Sequence, residues 1–235
     1  MTTVEIRSAP HIKEDGGVVV IMRNVVWSLL PICAFFVWQY GVSALASLVV
    51  TTLACLLAEY FFLKLGRQSG DLADWSATIT GLLLALTLPP GFPLWMGAVA
   101  GFVAIGAYAS AIFGGVGHNL FNPALVGRAF AQAAFPTAIA AYTPSFLPGR
   151  FFEFIPSSLA LPFMIPKDTA PWIAGLHVDG ISGATPLARW KFEGVAASGF
   201  DLMTSLSGHM AIGPSPALIL LCGLYLAVRG FLDWR

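Results

Sequence analysis

The chain has 235 residues, of which 57% are hydrophobic and 10% charged, with a formal net charge of zero. Together with a mean hydropathy of +0.79, this lies outside the soluble globular range and predicts an integral membrane protein. No basic run points to nucleic acid. Cys33, Cys55 and Cys222 stand alone in apolar segments, which excludes a disulfide framework or a metal cluster held by this chain by itself.

Residues Met1 to Asp15 are polar and of mixed charge, with no convincing small-residue cleavage site, so no removable signal peptide is expected. Apolar segments follow at 18–40, 42–63, 75–90, 94–113, 123–141 and 214–232. A helix needs about 20 apolar residues to cross a bilayer, so the reading is all-α, a polytopic membrane bundle of about six transmembrane helices. The third segment stops at Pro89-Pro90, and the fifth opens on Asn122-Pro123, an N-cap followed by proline at the first helical position. Arg7, Lys13, Arg23, Lys64, Arg67, Arg229 and Arg235 gather at one set of helix ends. The positive-inside rule then puts the N-terminus in the cytoplasm. The chain divides accordingly into a cytoplasmic segment (1–17), a five-helix bundle (18–141), a long extracytoplasmic loop (142–213) and a sixth helix (214–235).

Inside the bundle, Glu59 is the acid set well within an apolar segment, and an intramembrane ionisable residue suggests an ion path. The alternative is an acid at the interface that snorkels or pairs with Lys64. Asp71 and Asp74 read as solvated, helix-capping residues, and Arg128 as a structural pairing residue. Gly114, Gly115 and Gly117 follow no strand, which excludes a dinucleotide-binding fold and leaves a tight turn or a backbone lining a ligand site. His118, His177 and His209 lack metal-ligand spacing.

The long loop carries Pro144, Pro148, Pro156, Pro162, Pro166 and Pro171. Its stretch from Phe151 to Ile165 is apolar enough to lie on the membrane, but its prolines argue against a seventh regular span. Farther on, Asp179-Gly180-Ile181-Ser182-Gly183-Ala184-Thr185-Pro186-Leu187 leaves the Thr185 hydroxyl with small neighbours that let a bulky partner approach. Pro186 stiffens the turn. From the residues alone this is ordinary turn chemistry.

Ser182-Gly183-Ala184-Thr185 resembles the Ser/Thr-Gly-Ala-Thr motif of the RnfD/NqrB family, in which FMN is esterified to the last threonine. Further stretches resemble the same family in order and spacing. They are Ser8 to Ile12, Ile21 to Val25, Thr80 to Pro90, and Phe113 to Asn119 running into Phe121 to Phe130. The N-terminal stretch favours an RnfD-like subunit. The resemblance implies a flavin-bearing membrane subunit of an ion-translocating ferredoxin:NAD+ oxidoreductase in the cell inner membrane, coupled to Na+ or H+.

Thr185 is then the covalent FMN anchor and not a catalytic base, with Ser182, Gly183, Ala184 and Asp179 around it and no metal site. A second, non-covalent flavin (riboflavin) near the Gly114 turn is also implied. The implied partners are the other Rnf-type subunits (Fe–S and second FMN-bearing ones), a flavin transferase and membrane lipid. Two departures stand out. The family continues through a second, inverted half beyond the position of Arg235, so this chain reads as truncated. Gly213-Pro214-Ser215-Pro216 also stands where the family has Gly-Glu-Ser or Gly-Glu-Thr. The alternatives are an NqrB-like quinone-linked subunit, a flavin-free transporter or channel of the same helical plan, and a structural membrane scaffold.

Overall fold

The computed structural model of the chain describes residues 17–66, 74–108, 121–141, 143–162, 164, 169, 171–172, 190–191, 194, 196, 199–204 and 215–231. All regular elements among them are helical. α1 (Val18–Tyr40) and α2 (Val42–Gly66) are long and apolar enough to cross a membrane. Gly41 alone separates them, at a φ of 71° that favours glycine.

α3 (Ser76–Thr87) and α4 (Leu94–Tyr108) are shorter. At 12 residues, α3 rises about 18 Å, less than the hydrocarbon core of about 30 Å. It ends where expected, because Leu88 takes an extended conformation (φ −84°, ψ 148°), the region into which a following proline pushes its neighbour.

α5 (Pro123–Ala134) begins as the sequence suggests: the Asn122 side chain accepts a hydrogen bond from the Ala124 N–H at 2.9 Å, with Pro123 at the first position. The expected single segment 123–141 is divided, however, into α5 and a short α6 (Pro136–Ala140). Phe135 leaves helical geometry (φ −132°, ψ 57°) because Pro136 has no N–H to continue the ladder and crowds the preceding turn. α7 (Gly199–Thr204) and α8 (Pro216–Val228) follow. The Ser215 Oγ donates to the Met203 carbonyl at 2.9 Å, which fixes the entry to α8 against the end of α7.

α2 lies between α3 and α4, α4 also packs on α5, and α1 meets α8. One apolar cluster joins Leu29, Phe36, Leu48, Ala85 and Cys222, and another joins Leu84, Phe92, Ala100, Ala124 and Ile139. The three cysteines are buried and unbridged, as small apolar residues would be. Trp27, Leu30, Leu53, Leu57, Leu220 and Leu224 point outward, as side chains facing lipid do.

Residues 143–162 form a strap of turns without regular helix, in keeping with their prolines. They close the end of the bundle where α1 turns into α2 and α3 into α4. Phe146 N–H donates to the Gln39 carbonyl (2.9 Å), Val42 N–H to the Arg150 carbonyl (2.9 Å) and Leu94 N–H to the Ser158 carbonyl (3.0 Å). Ile155 N–H donates to Ser43 Oγ (2.8 Å), and Ser157 Oγ donates to the Gly91 carbonyl (2.7 Å). The Arg150 guanidinium caps α1 through the Trp38 carbonyl (2.9 Å) and lies over the Phe146 and Phe151 rings.

Candidate functional site

Asp179, Ser182, Gly183, Ala184 and Thr185 lie outside the described residues, as do Asp71, the glycines 114, 115 and 117, and His118, His177 and His209. The described residues do place both shoulders of the loop that carries the threonine: the strap at 143–162, and the Ser215–Met203 hydrogen bond before α8.

The chemically unusual position within the bundle is Glu59. It is 9% exposed, so it neither snorkels to the surface nor pairs with Lys64, which is exposed. Its Oε1 accepts a hydrogen bond from Ser76 Oγ at 3.3 Å, while its Oε2 is buried with no hydrogen-bond partner among the described residues. The neighbours are apolar and tightly packed, with Cys55, Ala58, Ala77 and Ile105 forming one cluster joined by Leu56 and Phe62. Asp74 reaches the same serine from the other side: its Oδ1 accepts from the Ser76 backbone N–H at 3.0 Å, the capping role expected of it. Two carboxylates thus converge on Ser76 at the head of α3. Trp75 between them holds a φ of 64°, a left-handed conformation that costs a bulky residue about 1–3 kcal/mol and persists only when its surroundings impose it.

A second feature escaped sequence reasoning. Ser43, Ser47, Thr51, Cys55 and Glu59 recur every four residues and are all buried. Positions four apart lie on adjoining turns of a helix, and each such step advances about 40°, so they form a polar column that winds about 160° round α2 among its neighbours. The column rises about 24 Å, from Ser43 under the strap to Glu59 at the opposite end. α4 seals its middle, where Cys55 Sγ donates to the Gly101 carbonyl at 3.6 Å. The four-residue spacing was present in the sequence, but such small polar residues vanish in any averaged hydropathy. Among the described residues, no group of three metal-ligating side chains occurs.

The NQR2, RnfD, RnfE family matches residues 5–235. The chain is 34% identical over 234 residues to the D subunit of the Na(+)-translocating ferredoxin:NAD(+) oxidoreductase complex of Acetobacterium woodii, covering 98% of this chain and 64% of that one. It is 31% identical to the D subunit of the proton-translocating ferredoxin:NAD(+) oxidoreductase complex of Clostridium ljungdahlii, with 98% and 64% covered. With the D subunit of the ion-translocating oxidoreductase complex of Halorhodospira halophila it shares 33% identity, over 98% and 66% of the two chains. The chain therefore spans just under two thirds of the length of these relatives. By the extent of the match, the chain belongs to the NQR2, RnfD, RnfE family.

Proposed function

We propose that this chain acts as the D-type membrane subunit of an ion-translocating ferredoxin:NAD+ oxidoreductase and carries FMN on Thr185. The observation that carries the reading is the match over nearly the whole chain to the D subunits of three ion-translocating oxidoreductase complexes, two of them named as ferredoxin:NAD(+) oxidoreductases. Ser182-Gly183-Ala184-Thr185 supplies the attachment point. The family description also covers NQR2, but these relatives favour the ferredoxin-linked complex over a quinone-linked one.

In this reading the chain crosses the membrane about six times, with its N-terminus in the cytoplasm and the loop carrying Thr185 outside. The Thr185 hydroxyl holds the FMN phosphate as an ester made by a flavin transferase, with Ser182, Gly183 and Ala184 leaving room for that enzyme and Asp179 shaping the turn. FMN takes up electrons singly or in pairs, and the protein's part is to hold and orient it. The strap and the Ser215–Met203 contact tie described residues on either side of that segment to the rest of the chain. Partner subunits supply the Fe–S centres, and either Na+ or H+ is the coupled ion.

The test is co-expression with a flavin transferase. An in-gel flavin fluorescence band and a mass gain matching FMN are expected, both lost in Thr185→Val. An unmodified, non-fluorescent chain made beside an active transferase sinks the flavin assignment. Labelling of a Ser182→Cys variant by an impermeant thiol reagent from outside checks the orientation; reaction from the cytoplasm alone reverses it.

A further inference from the structure

The strap at 143–162 is inside out for a segment that meets water. Its hydroxyls are buried against the bundle: Thr143 and Ser158 are each 1% exposed, and Ser145 and Ser157 little more. Its large apolar side chains point the other way. Phe152 is 92% exposed, and Phe151, Phe154, Leu159, Leu161 and, just beyond, Met164 are exposed with it. A loop in water is expected to show the reverse, with phenyl rings inward and hydroxyls outward. Exposed apolar side chains in such number on one short segment mark a surface that something apolar covers.

Two observations point to lipid as the cover. The first is continuity with the outward side of α1. The Phe35 and Trp38 rings stand 5.6 Å apart, and Trp38 meets Phe146 edge-on at 4.8 Å. The Arg150 guanidinium then lies over both Phe146 (5.5 Å) and Phe151 (4.8 Å). Rings thus lead without a break from the last turns of α1 on to the strap. Trp38 is 45% exposed and sits near the end of α1 at Tyr40. That is where a membrane helix meets the headgroups, the level at which tryptophan collects. Arginine suits the same level, with its stem along apolar surface and its head among polar groups.

The second observation is that the strap leaves bulk water at little cost. Its outward turns close on themselves. The N–H groups of Phe152 and Glu153 donate to the Gly149 carbonyl (2.8 and 2.9 Å), that of Ala160 to Ser157 (3.2 Å) and that of Met164 to Leu161 (3.1 Å). Backbone groups paired in this way need no water partners. The charged residues between 143 and 162 are Arg150 and Glu153, of opposite sign. A surface so balanced carries no net charge with which to select a protein partner, and apolar burial is left as the attraction.

We propose that the strap is an interfacial anchor. Phe152 and its apolar neighbours sit in the headgroup and upper acyl layer of the leaflet at the end where α1 turns into α2, with Arg150 and Glu153 at the phosphate level. The inference requires only that the helices cross a bilayer, and it stands whether or not Thr185 carries a flavin.

The test is a nitroxide label on Phe152→Cys, in the full chain reconstituted in phosphatidylcholine nanodiscs. Phe152 is exposed enough for the substitution to spare the fold. The native cysteines are buried, and the parent chain treated alike gives the background. Power-saturation EPR compares collisions with oxygen, which concentrates among acyl chains, and with a water-soluble nickel chelate. Oxygen collisions are expected to dominate, with the label about 5–10 Å into the headgroup boundary. Adding Phe151→Asp should shift the label toward water and reverse that order. Replacing part of the phosphatidylcholine by phosphatidylglycerol should leave the depth unchanged, because the two charges of the strap cancel.

Preference for the nickel chelate puts the strap in water and overturns the proposal. Few collisions with either reagent, in nanodiscs or in native membranes, overturn it too and assign the face to a protein. A depth that ignores Phe151→Asp would mean that the label alone sought lipid, and a depth gained only with phosphatidylglycerol would mean electrostatic docking; both sink the anchor. Flavin fluorescence of the same samples reports separately on Thr185, so failure here is distinguishable from failure of the FMN assignment.

Discussion

Gly81 shows how narrowly the residues around the buried acid are fitted. A Cβ at this position would lie 2.6 Å from the Thr52 Cα, a backbone atom of α2 that no rotamer change can move. Gly81→Val must therefore push α3 off α2, at a cost of about 1–3 kcal/mol. Because Ser76 opens the same helix, the displacement would also draw its hydroxyl away from Glu59. We expect a clearly lower thermal midpoint for Gly81→Val in detergent. Gly223→Ala, where the added methyl meets nothing within 4 Å, should leave it unchanged. Equal effects from the two substitutions would show that the α2–α3 contact is not the tight one.

At the level of elements, α8 is attached to the bundle chiefly through α1. The Tyr225 hydroxyl donates to Asn24 Oδ1 at 3.1 Å, and the Asn24 amide is itself held by the Val20 carbonyl at 2.8 Å. Hydrogen bonds between membrane helices are worth on average about 0.6 kcal/mol, since the separated helices find other partners in lipid. A double-mutant cycle of Asn24→Ala and Tyr225→Phe, read by denaturant unfolding, should give a coupling energy of about that size. A coupling near zero would mean that packing of Cys222 and Leu218 holds α8 without help.

This contact also marks the limit of what the sequence discloses. The start of α5 was legible because Asn122 and Pro123 act locally, and the end of α3 because Pro89 acts on Leu88. The break at Pro136 stood in plain view, yet an unbroken apolar run concealed it. Tyr225 and Asn24 are 201 positions apart, and Ser76 and Glu59 are 17 apart; nothing local pairs either couple. Glu59 could be singled out for its charge, but its burial and its bare oxygen depend on α3 and α4 closing over it. Thr185 could be singled out only through its motif and lies outside the described residues.

For the molecule as a whole, the strap at 143–162 joins parts that are distant in sequence. Its hydrogen bonds to Gln39, Val42, Ser43, Gly91 and Leu94 bind the α1–α2 and α3–α4 turns into one end plate. With no helix of its own, the strap has little internal cooperativity, and its order comes from these interleaved ties. Losing one should then loosen the others, because a segment held at several points opens as a unit. Ser43→Ala removes the acceptor for the Ile155 N–H, a loss of about 1 kcal/mol, which corresponds to roughly fivefold faster hydrogen exchange at that amide. The same acceleration is expected at Val42 and Leu94, whose amides donate to strap carbonyls, and not at Ser47 inside α2. Acceleration confined to Ile155 would mean that the ties break one by one. The strap would then be an ordinary loop and not a single cooperative end plate.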